Sequence, residues 1–120
     1  MSEFAAEFLG TMFLILLGNA VVANVVLPNT KGNNSGWIVI TTGWGLAVFV
    51  AVAIAAPYSG AHLNPAVTIA LAIAQKFEWD KVPLFILAQF IGAMVGSSMV
   101  WLMYKDHYKL SKDPDLKLAT

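Results

Sequence analysis

Asn64, the backbone carbonyls of Gly60, Ala61, His62 and Leu63, and the carboxylate of Glu7 are the groups in this chain whose types and spacing could act on a small molecule. They centre on Ser59-Gly60-Ala61-His62-Leu63-Asn64-Pro65-Ala66-Val67-Thr68, inside 44 consecutive residues (32–75) without Lys, Arg, Asp or Glu. Asparagine followed by proline opens a helix: the Asn64 oxygen can take an orphan N–H of the first turn. Pro65 suits the first helical position, where its missing N–H costs nothing. With its oxygen held by the cap, Asn64 keeps a side-chain NH2 free to donate. The preceding four residues, if extended, can line up carbonyl acceptors on one wall. A donor facing a ladder of acceptors suits a hydroxyl-bearing neutral solute or a file of waters. It does not suit bond-breaking chemistry, and no Ser/His/Asp or Cys/His constellation points to an enzyme. His62 has no second ligand at helical spacing and reads as a hydrogen-bonded loop histidine. Neither metal nor other cofactor is expected.

Three side chains elsewhere need partners. Glu7 lies near the start of the first apolar segment, and an intramembrane carboxylate is a functional candidate by default. It either rests in the headgroup zone or accepts N–H groups from the 59–68 loop. Gln89 could brace the same loop with amide groups on both sides. Trp44 is too deep in its segment to anchor at an interface, so its indole is either core filler or a flat apolar wall with one N–H facing a lumen.

The elements that must position these groups are membrane helices. Hydrophobic residues make up 58% of the chain and charged residues 12%, far below the roughly 25% of an average soluble domain. The formal net charge of zero gives no electrostatic case for nucleic acid. There is no cysteine, hence no disulfide framework, and all seven basic residues are lysines. A spanning helix needs about 20 apolar residues. Spans are predicted at 8–27, 37–56 (closed by Pro57) and 82–104, with a re-entrant loop and half-helix over 57–77 and a solvated connecting loop over 105–120. The piece from Asn64 to Phe77 is too short to cross alone.

Irregular backbone survives in hydrocarbon only where protein or a water-filled cavity surrounds it. The break at Gly60–Asn64 is therefore either a buried defect or the wall of a pore, and its chemistry favours the pore. A half-helix starting at the midplane presents roughly +0.5 of an elementary charge there. Such an end repels cations and protons while admitting neutral groups. Gly92 and Gly96, followed by Ser97 and Ser98, give the third span a small-residue strip for close helix packing. The alternative reading is a non-transporting membrane assembly or adhesion protein that oligomerises through this strip. Counting lysines, five against two, places the N-terminus outside.

Taken together, Ala6-Glu7-Phe8-Leu9-Gly10-Thr11, Trp44-Gly45-Leu46, Ser59 to Thr68, and Gln89-x-x-Gly92-Ala93 resemble the major intrinsic protein family, the aquaporins and glycerol facilitators. The resemblance implies an all-α, multi-pass cell-membrane channel passing glycerol, water and other small neutral solutes while excluding protons and ions, commonly as a homotetramer. It implies that Asn64, within Asn64-Pro65-Ala66, donates to the solute and that Gly60, Ala61, His62 and Leu63 supply the acceptors. Glu7 and Gln89 would support the loop. Trp44 would belong to the outer selectivity filter, with Val48 continuing its apolar wall; tryptophan there is the glycerol-facilitator choice. The resemblance also places the N-terminus in the cytoplasm, against the lysine count. Family members are built as two inverted repeats. Residues 1–120 hold the first repeat only, without the filter arginine, so the chain reads as an N-terminal half that requires a second repeat.

Overall fold

The computed structural model describes residues 1–120 as five α-helices and no strand. Helix α1 (Glu3–Val26) is capped by Ser2, whose hydroxyl accepts from the Ala5 N–H at 3.2 Å. It stops before Pro28, and the following loop folds back over its last turn. Asn33 Nδ2 donates to the Leu27 carbonyl at 2.9 Å, and Thr30 Oγ1 to the Asn24 carbonyl at 2.5 Å, covering acceptors that a helix end leaves open.

Helix α2 (Trp37–Ser59) does not close at Pro57. A proline removes only its own N–H, so the helix continues to Gly60, whose left-handed φ of 80° ends it. Helix α3 (Pro65–Ile73) is the half-helix, nine residues long rather than reaching Phe77. Gln75 takes φ 58°, its N–H bonds to the Ala72 carbonyl and the Lys76 N–H to the Leu71 carbonyl at 2.9 Å. These are the two bonds of a Schellman ending, made here without glycine.

After a 3-10 turn at Trp79–Lys81 comes α4 (Val82–Leu110), which runs six residues beyond the predicted limit at Tyr104. Lysine and aspartate do not break helices, and 29 residues reach roughly 43 Å, so α4 projects beyond an apolar layer of about 30 Å. The tail is likewise not all loop: α5 (Pro114–Leu118) is capped by Asp113.

Three helices are long and apolar enough to cross a membrane, residues 3–26, 37–59 and 79–110. Helix α1 is the middle one, packed against both α2 and α4, while α3 leans on α4. The α1–α4 contact is backbone to backbone. A Cβ on Gly96 would lie 2.5 Å from the Met12 carbonyl oxygen, and one on Gly92 would collide with the Phe8 carbonyl. Gly92 and Gly96 are thus consumed inside the chain, while Ser97 and Ser98 stay exposed. That removes the glycines from the surface on which the assembly reading depended.

Gly92→Leu is expected to lower stability by about 2 kcal/mol or more, because backbone cannot yield as a side chain can. Denaturation of the chain in mixed micelles by sodium dodecyl sulfate measures it; unchanged stability with altered oligomerisation would favour the assembly reading instead.

Candidate functional site

Glu7 is fully buried between helices, one turn into α1. A bare carboxylate in such a place would cost several kcal/mol, and it is met by four donors. Its Oε1 accepts from Ser59 Oγ at 2.6 Å and the His62 N–H at 2.9 Å. Its Oε2 accepts from the Leu63 N–H at 2.8 Å and Gln89 Nε2 at 2.8 Å. The four come from the end of α2, two consecutive loop residues and α4.

The backbone conformation follows from that convergence. Gly60, Ala61 and Leu63 have φ of 80°, 54° and 53°, so the loop is not the extended run expected from sequence. Positive φ on either side of His62 goes with the N–H groups of His62 and Leu63 converging on one carboxylate, as in the nests that bind anions. For Ala61 and Leu63 this costs on the order of 1 kcal/mol each, offset by the carboxylate bonds they make possible.

Every backbone N–H of the segment is bonded to protein: Gly60 to the Ala56 carbonyl, Ala61 to Ser59 Oγ, His62 and Leu63 to Glu7. The carbonyls of Gly60, Ala61, His62 and Leu63 accept no protein hydrogen bond. The loop therefore has its donors held by protein, two of them by Glu7, and an acceptor side left over.

Asn64 follows in extended conformation, φ −155° and ψ 125°, and its Oδ1 accepts from the Ala66 N–H at 2.8 Å. Its Nδ2 gives no hydrogen to the protein, and the residue is exposed. Pro65 and Ala66 form the first turn of α3 beside it. Free acceptors and a free amide donor thus adjoin the start of a short helix with positive polarity.

Trp44 and Val48 stand apart from this network. Trp44 lies 15 residues before Ser59 on α2, roughly 22 Å along the helix. Its ring covers Gly18, where a Cβ would sit 2.6 Å from the indole, and its remaining face lines a cleft of about 920 Å³ with Val22, Ile40, Trp37 and Leu116. Val48 is half-exposed at 46%.

Sequence reasoning singled out no role for Ser59 or Thr68. Ser59 both donates to Glu7 and accepts from Ala61. Thr68 is fully buried and bonds Gln89 Nε2 at 3.0 Å. The available signal was spacing: four residues after Asn64, a threonine on α3 can turn its hydroxyl back to the Asn64 carbonyl, which it does at 3.2 Å.

Residues 1–117 match the family described as "Major intrinsic protein". The "Probable glycerol uptake facilitator protein" of Thermotoga maritima is 60% identical over 119 residues, 99% of this chain and 51% of that protein. The "Glycerol uptake facilitator protein" of Streptococcus pneumoniae strain R6 is 58% identical over 120 residues, all of this chain and 51% of its own. The X-ray structure of the aquaglyceroporin from Plasmodium falciparum superposes with a TM-score of 0.85 at 44% identity, covering 93% of this chain and 45% of that one. The chain spans about half the length of the curated relatives it matches.

Glu7→Gln replaces four acceptor sites with an amide that must point hydrogens at some of its donors. Hydrogen bonds to a charged group contribute about 1.5–3 kcal/mol each. Amide exchange at His62 and Leu63 is expected to rise roughly 10- to 100-fold, read by hydrogen–deuterium exchange; unchanged protection at both would remove Glu7 as the organiser.

Proposed function

This chain belongs to the major intrinsic protein family, and from that premise we propose that it supplies one half of a passive pore for glycerol, water and other small neutral solutes. The observation that carries the reading is the polarity of the loop: all four N–H groups of residues 60–63 are held by protein, and all four carbonyls are free of it.

A solute hydroxyl donates to one carbonyl of the ladder as it leaves another, so the hydration it sheds is replaced stepwise. Asn64 Nδ2 donates to the oxygen of the same solute. Because Asn64 Oδ1 is fixed on the Ala66 N–H, the amide cannot turn over and present an acceptor. The start of α3 disfavours cations and protons at that point. No bond in the solute is made or broken, and none of these groups acts as a catalyst.

Trp44 forms one wall of the outer filter, its indole fixed on Gly18, with Val48 extending that wall. The filter closes only when a second aquaporin-type repeat faces α2, whose large apolar side chains Leu46 and Phe49 are exposed. The full assembly is a homotetramer in the cell membrane with the N-terminus in the cytoplasm.

The test joins these residues to the remaining half of the Streptococcus pneumoniae relative and follows vesicle swelling under a glycerol gradient. The hybrid is expected to swell well above protein-free vesicles. Asn64→Asp keeps a helix cap but places a charge and extra acceptors where the donor was, and should return swelling to the background. Glycerol flux unaltered by that change, or absent in the unaltered hybrid, contradicts the proposal.

A further inference from the structure

Thr68 is a buried polar group whose role the Glu7 cage does not account for. Its hydroxyl lies 3.0 Å from Gln89 Nε2, 3.1 Å from His62 Nδ1 and 3.2 Å from the Asn64 carbonyl oxygen. A hydroxyl has one hydrogen to give and two lone pairs to offer. Three partners therefore saturate it only when two of them donate and one accepts.

Two of the three roles are fixed. The Asn64 carbonyl can only accept. Gln89 Nε2 can only donate, and its amide cannot be turned over, because the same nitrogen also donates to Glu7 Oε2 at 2.8 Å. His62 Nδ1 is left as the second donor. We infer that Thr68 sets the tautomer of His62, holding the imidazole hydrogen on Nδ1 and leaving Nε2 a bare lone pair. The unbound neutral ring in water favours the opposite tautomer, and the hydrogen bond at one ring nitrogen decides the state of the other.

The rest of the ring's surroundings fit this. His62 packs against Phe77 at 4.6 Å and Phe85 at 4.9 Å between centroids, and Nε2 makes no protein hydrogen bond. A hydrogen on Nε2 would be a donor without a protein acceptor. With it on Nδ1, every donor of residues 60–63, side chain as well as backbone, is committed to the protein. The segment then offers only acceptors. That consequence deepens the pore reading and rests on it; the tautomer assignment itself does not.

Thr68 is thus a positioning residue, acting through His62 and the α3 cap. The test is nitrogen-15 NMR of the histidine-labelled 120-residue chain in lipid bilayers, at about pH 8, above the titration range of a free imidazole in water. The chain has two histidines, and His107 bonds the Pro28 carbonyl through Nδ1 at 2.9 Å, away from Thr68, so it serves as the internal reference. His107→Gln assigns the signals.

His62 is expected to carry its hydrogen on Nδ1. Thr68→Val, which keeps the shape without the hydroxyl, should move it to Nε2, while Thr68→Ser keeps it on Nδ1. Hydrogen on Nε2 in the unaltered chain overturns the inference, as does a Val variant still protonated on Nδ1. Should the Val variant not fold, the unaltered and Ser spectra decide. In the hybrid channel, Thr68→Val should lower glycerol flux severalfold and Thr68→Ser restore it; equal flux in all three overturns the functional consequence. Loss of the pore reading would show separately, as no flux in the unaltered hybrid beside an unchanged His62 spectrum.

Discussion

The carboxylate of Glu7, with no cation beside it, sits in the interior of a membrane helix bundle, and its need for hydrogen-bond donors shapes everything around it. The cost of an uncompensated charge there exceeds what any one contact could return. Four donors together meet it. Two of them are neighbouring backbone N–H groups, which reach one carboxylate here with left-handed φ at Ala61 and Leu63. Once those N–H groups point at Glu7, the carbonyls of the same peptides must point elsewhere. The acceptor face of the loop is in this sense the geometric remainder of charge burial.

The donors can meet only because the helices approach unusually closely. On one side, Gly92 and Gly96 lie on the backbone of α1, which brings Gln89, one turn earlier on α4, within 2.8 Å of the carboxylate. On the other, Ala51 and Ala55 of α2 pack with Ala6 and Leu63, placing Ser59 at the far end of α2 beside Glu7. Small residues act here through the distances they permit. Interaxial distance depends on the side chains at the contact, so larger residues at these positions would draw the donors away from the carboxylate. Gln89 then passes the constraint onward to Thr68, and Thr68 to the cap of α3.

Much of this was legible in the sequence. An uncharged run too long for one helix, broken by Gly60 and by Asn64-Pro65, admits few readings once lipid is the solvent. The helix starts were readable because caps are local: Asn64 and Pro65 carry their own signal. The helix ends were less so. Gln75 occupies a left-handed position without being glycine, and the charges of 105–110 mark a helix leaving the apolar layer rather than ending. The loop's left-handed positions were not readable at all, because Ala61 and Leu63 have no preference for them; only Glu7, more than fifty residues away, imposes them. Apart from its spacing from Asn64, Thr68 carries no local signal for a similar reason, since its importance lies in what the loop and α4 bring to it.

Glu7 spends the N–H groups of His62 and Leu63, Ala56 and Ser59 hold those of Gly60 and Ala61, and the four carbonyls are left unbonded by protein. Infrared spectroscopy of the chain carrying carbon-13 carbonyl histidine reads this at two sites only. The His62 carbonyl should be free, while that of His107 accepts from the Ser111 N–H at 3.1 Å within the helix end. As a dried lipid film is hydrated, the His62 band is expected to shift to lower frequency while the His107 band stays in place. A His62 band that already matches His107 when dry, and does not move with water, would contradict the account.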